Sequence, residues 1–384
     1  MNFQFATAAR IVFGAGTVEQ VAPAAAGMGQ RALVVTGGSA RRAFMLVDAL
    51  RSAGVAVKLF SVRGEPSIPA VRAGVEAGRA AGCDVVVSFG GGSPIDAGKA
   101  IASILANGGD PLDYLEVVGR GNPITRPSLP FIAVPTTAGT GSEVTRNAVL
   151  ASPEHKVKAS LRSPYLLPRL AVVDPDLTLL LPRAITATTG LDALTQLIEP
   201  YVSARANPLT DLFCLEGIRR AARALPRVCA DGADRSARED MALASLLGGL
   251  SLANAGLGVV HGFAAPVGGM FPAPHGAVCA ALLPHGMEAN LRALLERGGG
   301  GETAGRYETI ARILTGDAGA SADDGVAWVR ELARRLEIPG LGAYGLKEAG
   351  VPQVVAKAAR ASSMKANPVK LTEAELTLVL RQAL

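Results

Sequence analysis

Four side chains in the second half of the sequence are of types that could hold a divalent cation: Asp192, Gln196, His261 and His275. Asp192 and Gln196 stand four apart in GLDALTQLIEPYVS, a spacing that stacks two side chains on one face of a helix. His261 and His275 fall in VVHGFAAPVGGMFPAPHGAV, where glycines and prolines break the run between the two imidazoles. A carboxylate and two imidazoles are ordinary ligands for zinc or ferrous iron, whereas a glutamine carbonyl is neutral and weak. The row therefore predicts either a weakened, exchangeable metal site or a pocket that has lost its metal and kept the imidazoles to orient a carbonyl. His285, in LLPHGMEANL, reads as a structural residue, and His155, beside Lys156, as a surface one.

The elements that must position this row begin in the first half. Arg31–Thr36 (RALVVT), Val55–Val62, Asp84–Phe89 (DVVVSF) and Phe131–Pro135 (FIAVP) are short, β-branched, nearly all-apolar runs. Helical periodicity over Ala40–Ala53 and Ile68–Ala81 separates the first three. Alternation of this kind predicts a parallel sheet covered on both faces. The third strand runs into Gly90-Gly91-Gly92-Ser93-Pro94, with a helix expected from Pro94. Glycines admit a ligand close to the backbone, and the start of a helix attracts an anion, so a pyrophosphate fits there. A plain strand-to-helix turn is the alternative. The fourth strand ends in Thr136-Thr137-Ala138-Gly139-Thr140-Gly141-Ser142-Glu143, a second loop of glycines and hydroxyls at the edge where parallel sheets bind ligands. Two such loops imply a long, multiply charged ligand.

After LAVVDPDLTLLLP the alternation stops, and helices are expected over Arg183–Val202, Leu209–Ala230, Ser236–Ala255, around His261, over His275–Leu294 and beyond Glu302. The expected organisation is an α/β dinucleotide-binding domain over 1–178 and an all-helical metal and substrate domain over 179–384, hinged near Val173-Asp174-Pro175. The stretch Gly298 to Gly301 is expected to be a loop tip. At 384 residues and 49% hydrophobic, the chain can bury two cores. A net charge of +5 without a dense Lys/Arg run, and only 4% aromatics, argue against nucleic-acid binding. The absence of a long uncharged apolar run argues against a membrane span. Four scattered cysteines and an N-terminus without a signal-like pattern point to a reducing, cytoplasmic setting.

FGGGSPIDAGKA and PTTAGTGSEVT, with the later histidine pair, resemble the signature stretches of the iron-containing alcohol dehydrogenase family, related to glycerol dehydrogenase and dehydroquinate synthase. The resemblance runs nearly end to end. It implies a Rossmann-like parallel-sheet domain followed by an all-α domain, in the dehydroquinate synthase-like arrangement. It also implies cofactor contacts at Gly91, Gly92, Ser93, Asp96, Thr136, Thr137 and Ser142, with Lys158 reaching a ribose or phosphate or else standing solvated at a strand end. Many family members carry an Asp after the first strand, where it grips the ribose 2′-hydroxyl. Here Gly37-Gly38-Ser39 stands in its place, followed by Arg41 and Arg42. That exchange opens room for a 2′-phosphate and favours NADP(H) over NAD(H), unless both arginines face water.

By the same resemblance Asp192, His261 and His275 match three of the family's metal ligands, whereas Gln196 occupies a histidine position and Ala265 that of a further histidine. The implied reaction is hydride transfer between nicotinamide and a small alcohol, aldehyde or ketone, assisted by Fe2+ or Zn2+ that Gln196 holds less firmly. With Ala265 unable to relay a proton, water or the cofactor ribose would carry it. Without metal, His261 or His275 would donate to the carbonyl oxygen, as expected of a reductase of the maleylacetate reductase type. A catalytically silent nucleotide-binding protein is the reading outside enzymes. Arg146 and Asn147, after SEVT, are candidates to face a polar substrate. The family's dimers use an N-terminal edge strand, which FQFATAARIVFG would supply in a homodimer.

Overall fold

In a computed structural model the protein is described over residues 2–38, 40–297 and 301–384, so Ser39 and the expected loop tip at 298–300 lie outside the described residues. The chain forms β1 (Ile11–Phe13), α1 (Val21–Ala26), β2 (Arg31–Thr36), α2 (Phe44–Ser52), β3 (Ala56–Ser61), α3 (Ile68–Ala80), β4 (Val85–Gly90), α4 (Gly92–Asn107), α5 (Pro111–Tyr114), β5 (Phe131–Pro135), β6 (Asn147–Ser152), β7 (Val157–Arg162) and β8 (Leu170–Val173). Helices follow: α6 (Arg183–Val202), α7 (Pro208–Ala230), α8 (Arg235–Ala255), α9 (Val259–Met270), α10 (His275–Glu296), α11 (Gly301–Thr315), α12 (Ala322–Arg335), α13 (Val351–Ala358) and α14 (Glu373–Gln382). Residues Phe5–Thr137 and Gly141–Leu179 make one compact unit, and Leu180–Leu384 together with Ala138–Thr140 make up nearly all of the other.

The first unit is built on a six-stranded sheet in the order β1-β8-β5-β4-β2-β3, every pair parallel. Strand residues alternate between two cores, as a period of two demands. Leu33, Val35 and Val86 pack with α3 and α4 on one face, and Ala32, Val34, Val85 and Val87 pack with α1 and α2 on the other. Burial on both faces is why these strands read as unbroken apolar runs. Gly98 sets the approach of α4, because a β-carbon there would fall 1.9 Å from Ser88 Oγ. β6 and β7 form a separate antiparallel pair. Several expected boundaries move: Ala40–Ala43 is a 3-10 turn ahead of α2, α4 starts two residues before Pro94, and other element ends shift by a residue or two.

The second unit is helical throughout, organised around α6, whose residues from Gly190 to Val202 are all buried. A helix buried on every side must carry its polar residues inward. Capping boxes at Asn207, Ser321 and Thr372 start α7, α12 and α14, satisfying the otherwise orphaned first-turn N–H groups. Among the described residues no single helix is long and apolar enough to cross a membrane.

Candidate active site and cofactor loops

In the first unit, β4 ends in Gly90 and its neighbour β2 runs directly into Gly37. A β-carbon on Gly90 would stand 2.6 Å from Pro94 Cγ and 3.5 Å from the Gly37 nitrogen. The Gly37 backbone therefore lies beside Gly90, and the space that only glycine leaves at 90 is the space Pro94 occupies. Gly91 is the N-cap of α4, and no side chain caps that helix among the described residues. Its first N–H groups, with Ser93 in the opening turn, and the positive end of a 16-residue helix form an anion cradle. Thr136 N donates to Gly90 O at 2.9 Å, and Thr137 borders Gly91, where a β-carbon would meet its Oγ1 at 3.3 Å. The second loop is thus tied against the first.

Asp96 and Ser142 meet each other. Ser142 Oγ donates to Asp96 Oδ1 at 2.5 Å, and Val149 N donates to Asp96 Oδ2 at 3.0 Å. Beneath them Lys99, 1% exposed, donates to Ser142 Oγ at 3.0 Å, Thr145 Oγ1 at 2.8 Å and the Asn147 carbonyl at 2.9 Å. Burial pulls the Lys99 ammonium down to about 8 and pushes buried Glu143 up to about 7. Burial likewise raises Asp96, outweighing the Lys99 charge and the bonds from Ser142 and Val149. This network fixes both glycine loops to β6, so Asp96 and Ser142 shape the cradle through one another. Lys158 is not a solvated strand end: it is buried and pairs with Glu65 at 2.9 Å. Arg42 donates to the Leu177 carbonyl at 2.7 Å, and Arg41 is exposed. Arg146 is exposed, whereas Asn147 is half-buried and serves Lys99 through its carbonyl. His155 closes the β6–β7 turn through a 2.8 Å bond with Ser152.

In the second unit, Asp192, His261, His275 and Cys279 turn one ligand atom each toward a common point, all within 4.8 Å of one another. Asp192 comes from buried α6, His261 from the first turn of α9, and His275 and Cys279 from the start of α10. Close backbone approach seats α10 against α6: a β-carbon on Gly276 would fall 2.8 Å from the Thr188 carbonyl. Asp192 Oδ1 lies 3.4 Å from His261 Nε2 and 3.6 Å from His275 Nε2. Cys279 Sγ stands 3.7 Å from each of those nitrogens. His261 Nδ1 is held 2.7 Å from Glu199 Oε2, and Val260 N donates to Glu199 Oε1 at 2.7 Å. Glu199 is thus placed to accept the Nδ1 proton, which directs Nε2 inward toward the cluster.

Burial disfavours the Asp192 carboxylate, but His275 and His261 outweigh it and hold its pKa below the usual range. Burial would likewise depress His261, yet Cys279, Glu199 and Asp192 raise its pKa well above that of a free imidazole. Burial pushes the Cys279 thiol up to about 12. Neither Asp192 oxygen has a hydrogen-bond partner, and neither has the amide oxygen of buried Gln196. Buried oxygens without donors are costly, and those of Asp192, which converge with two imidazoles, suit a divalent cation. His285 lies outside this cluster, half-buried further along α10, and burial lowers its pKa. Ala265 stands one turn after His261 on α9.

Sequence reasoning missed Glu199, Cys279 and Lys99. Each carried a signal: Glu199 is i+7 from Asp192, Cys279 is i+4 from His275, and Lys99 is i+3 from Asp96. All three spacings place side chains on a shared helix face.

The model of the iron-containing alcohol dehydrogenase family matches residues 8–175, and that of the Fe-containing alcohol dehydrogenase family C-terminal region matches residues 186–384. A 1,3-propanediol dehydrogenase of Klebsiella pneumoniae is 41% identical over 337 residues, 87% of this chain and 85% of its own. An NAD-dependent methanol dehydrogenase of Bacillus methanolicus is 33% identical over 380 residues, 97% of each chain. The crystal structure of a 1,3-propanediol oxidoreductase superposes with a TM-score of 0.92 at 36% identity, covering 100% of both chains. The glycine-loop sheet, the helical unit and the cluster around Asp192 agree with these likenesses, and the chain belongs to the iron-containing alcohol dehydrogenase family, as an oxidoreductase acting on alcohols.

Proposed function

We propose that this protein transfers hydride between a nicotinamide dinucleotide and a small alcohol or its carbonyl partner, with Asp192, His261 and His275 holding a divalent cation at the reacting oxygen. The convergence of these three with Cys279 within 4.8 Å carries the reading. The small alcohols in the names of the propanediol and methanol relatives support the substrate class. When bound, a cation there would polarise the substrate C–O bond, and a nicotinamide would take or give the hydride.

The chain's own residues supply the rest. The first turn of α4 binds the pyrophosphate through backbone N–H groups, with Ser93 and Thr137 beside it, and the Asp96–Ser142–Lys99 network holds that cradle in shape. Glu199 would keep the His261 proton on Nδ1 when a cation is bound, leaving Nε2 to hold that cation. Ala265 offers no proton, which leaves solvent or the cofactor ribose as the route for the hydroxyl proton. His261→Ala should abolish turnover with metal and nicotinamide supplied. Full activity of that variant, or of protein shown by elemental analysis to be metal-free, refutes the proposal.

On the cofactor, the missing carboxylate after β2 and the exposed Arg41 support acceptance of a 2′-phosphate, so NADP(H) is proposed in preference to NAD(H). The bond of Arg42 to the Leu177 carbonyl leaves Arg41 as the residue that would meet it. A homodimer through β1, which lies at the sheet edge, is proposed on the exposed strand geometry; sedimentation as a monomer would exclude it. The four free cysteines support a reducing, cytoplasmic setting.

A further inference from the structure

We infer that Cys279 is the fourth ligand of the cation site, in the place Gln196 would otherwise fill, and that its sulfur shifts the site's preference toward Zn2+. The inference rests on the proposed cation site and adds to it a second ligand from α10.

Geometry speaks first. A tetrahedral zinc with bonds of about 2.3 Å to sulfur and about 2.0 Å to nitrogen or oxygen sets ligand atoms about 3.5 Å apart for N and S, and about 3.3 Å apart for N and O. Cys279 Sγ lies 3.7 Å from both His261 Nε2 and His275 Nε2. Asp192 Oδ1 lies 3.4 and 3.6 Å from the same two nitrogens. Four of the six edges of a coordination tetrahedron are thus close to their ideal lengths, and the other two are within 4.8 Å. His275 and Cys279 are one turn apart on α10, the i, i+4 spacing by which a helix presents two ligands to one ion.

Charge and chemistry point the same way. Asp192 is 1% exposed and neither of its oxygens accepts a hydrogen bond, so the carboxylate faces only the two imidazoles and the Cys279 sulfur of the cluster. Asp192 with two neutral imidazoles and Gln196 would carry one negative charge against a dication. A Cys279 thiolate makes it two, which neutralises the ion in a mostly buried place; the thiol proton passes to solvent as the metal binds. Thiolate is a strong, soft ligand for zinc, and an amide oxygen is a weak, hard one. A side chain that is 0% exposed, among two imidazoles and a carboxylate, has the surroundings of a ligand more than those of a packing residue.

The test uses the full-length chain, stripped with chelator and titrated anaerobically with Co2+, then with Zn2+ in competition. The wild type is expected to show the visible d–d bands of a tetrahedral cobalt site together with an intense near-ultraviolet sulfur-to-cobalt charge-transfer band. C279S, with C279A in parallel because a buried hydroxyl could perturb packing, should lose the charge-transfer band and bind Zn2+ about tenfold or more weakly. Q196A should keep the band and change affinity by less than about threefold, by the same comparison. A wild-type cobalt protein with d–d bands but no charge-transfer band, or a C279S protein that retains it, overturns Cys279 as ligand and leaves the cation site standing. A wild type that takes up neither Co2+ nor Zn2+ removes both.

Discussion

Glu199 offers a sharp test of how the site is held, because its two oxygens do two jobs. One accepts from His261 Nδ1 at 2.7 Å and the other from Val260 N at 2.7 Å. Glu199→Gln preserves shape and burial but leaves a single acceptor, so one of the two donors must face an NH2 group. If the imidazole yields, its proton moves to Nε2, the atom that faces Asp192, and the inward lone pair is lost. Loss of such an orienting carboxylate costs about 10- to 100-fold in metal affinity, or about 1.4 to 2.7 kcal/mol. Zinc affinity by competition with a chromophoric chelator measures it, and kcat/KM should fall in parallel when free metal is buffered below the variant's Kd. Asn367→Ala is the control: Asn367 Oδ1 accepts from Val259 N at 2.9 Å, so its loss disturbs the same helix start without touching the imidazole. Equal losses in the two variants, or undiminished affinity in E199Q, would refute the assignment of Glu199 as the residue that sets the His261 tautomer.

Other outcomes follow from the first unit. Lys99→Met leaves Asp96 buried without its cation and three acceptors unserved, so it should destabilise by about 3 to 5 kcal/mol in urea unfolding, with nicotinamide affinity lost in proportion. Glu143 is held near 7 when folded against 4.5 when unfolded, so the folded state binds the extra proton and its contribution to stability falls as pH rises between these values. Glu143→Gln should flatten that slope, which spans about 3 kcal/mol, and an unchanged stability profile from pH 4.5 to 7 would contradict the burial argument. Arg41→Ala should lower kcat/KM for NADPH about tenfold, as for one lost charge-assisted phosphate contact, while NADH is unaffected; equal effects on both cofactors count against a 2′-phosphate contact.

Much of this arrangement was legible because it is periodic. β2, β4 and β5 are covered on both faces and so read as uninterrupted apolar runs, and Asp192 with Gln196 declared a shared face at four residues. What stayed hidden is tertiary. Lys99, in a GKA context, has the look of a solvated lysine, and only the hydroxyls of Ser142 and Thr145 and the Asn147 carbonyl make its burial tolerable. Cys279 sits among Ala, Val and Leu and passes for a small apolar residue, until the return of α9 brings His261 beside it. Lys158 was open between ligand contact and solvent because its partner, Glu65, is far away in sequence. Glu199 looked like one more helix acid, although on a helix buried all round a carboxylate needs donors, and two were waiting on α9.

The buried face of α6 sets the terms on which this site can change. Asp192, Gln196 and Glu199 ride on one rigid rod, so a single inserted residue ahead of them would swing all three by about 100° and erase the centre at a stroke. Replacement of one side chain does nothing of the kind, since the other two keep their addresses. A lineage can therefore retire a ligand at 196 and recruit one at 279 without moving the main chain, exchanging a contact on one helix for a contact on its neighbour. The chemistry of the pocket is in that sense modular by helix, and its metal preference can drift while its architecture stays fixed.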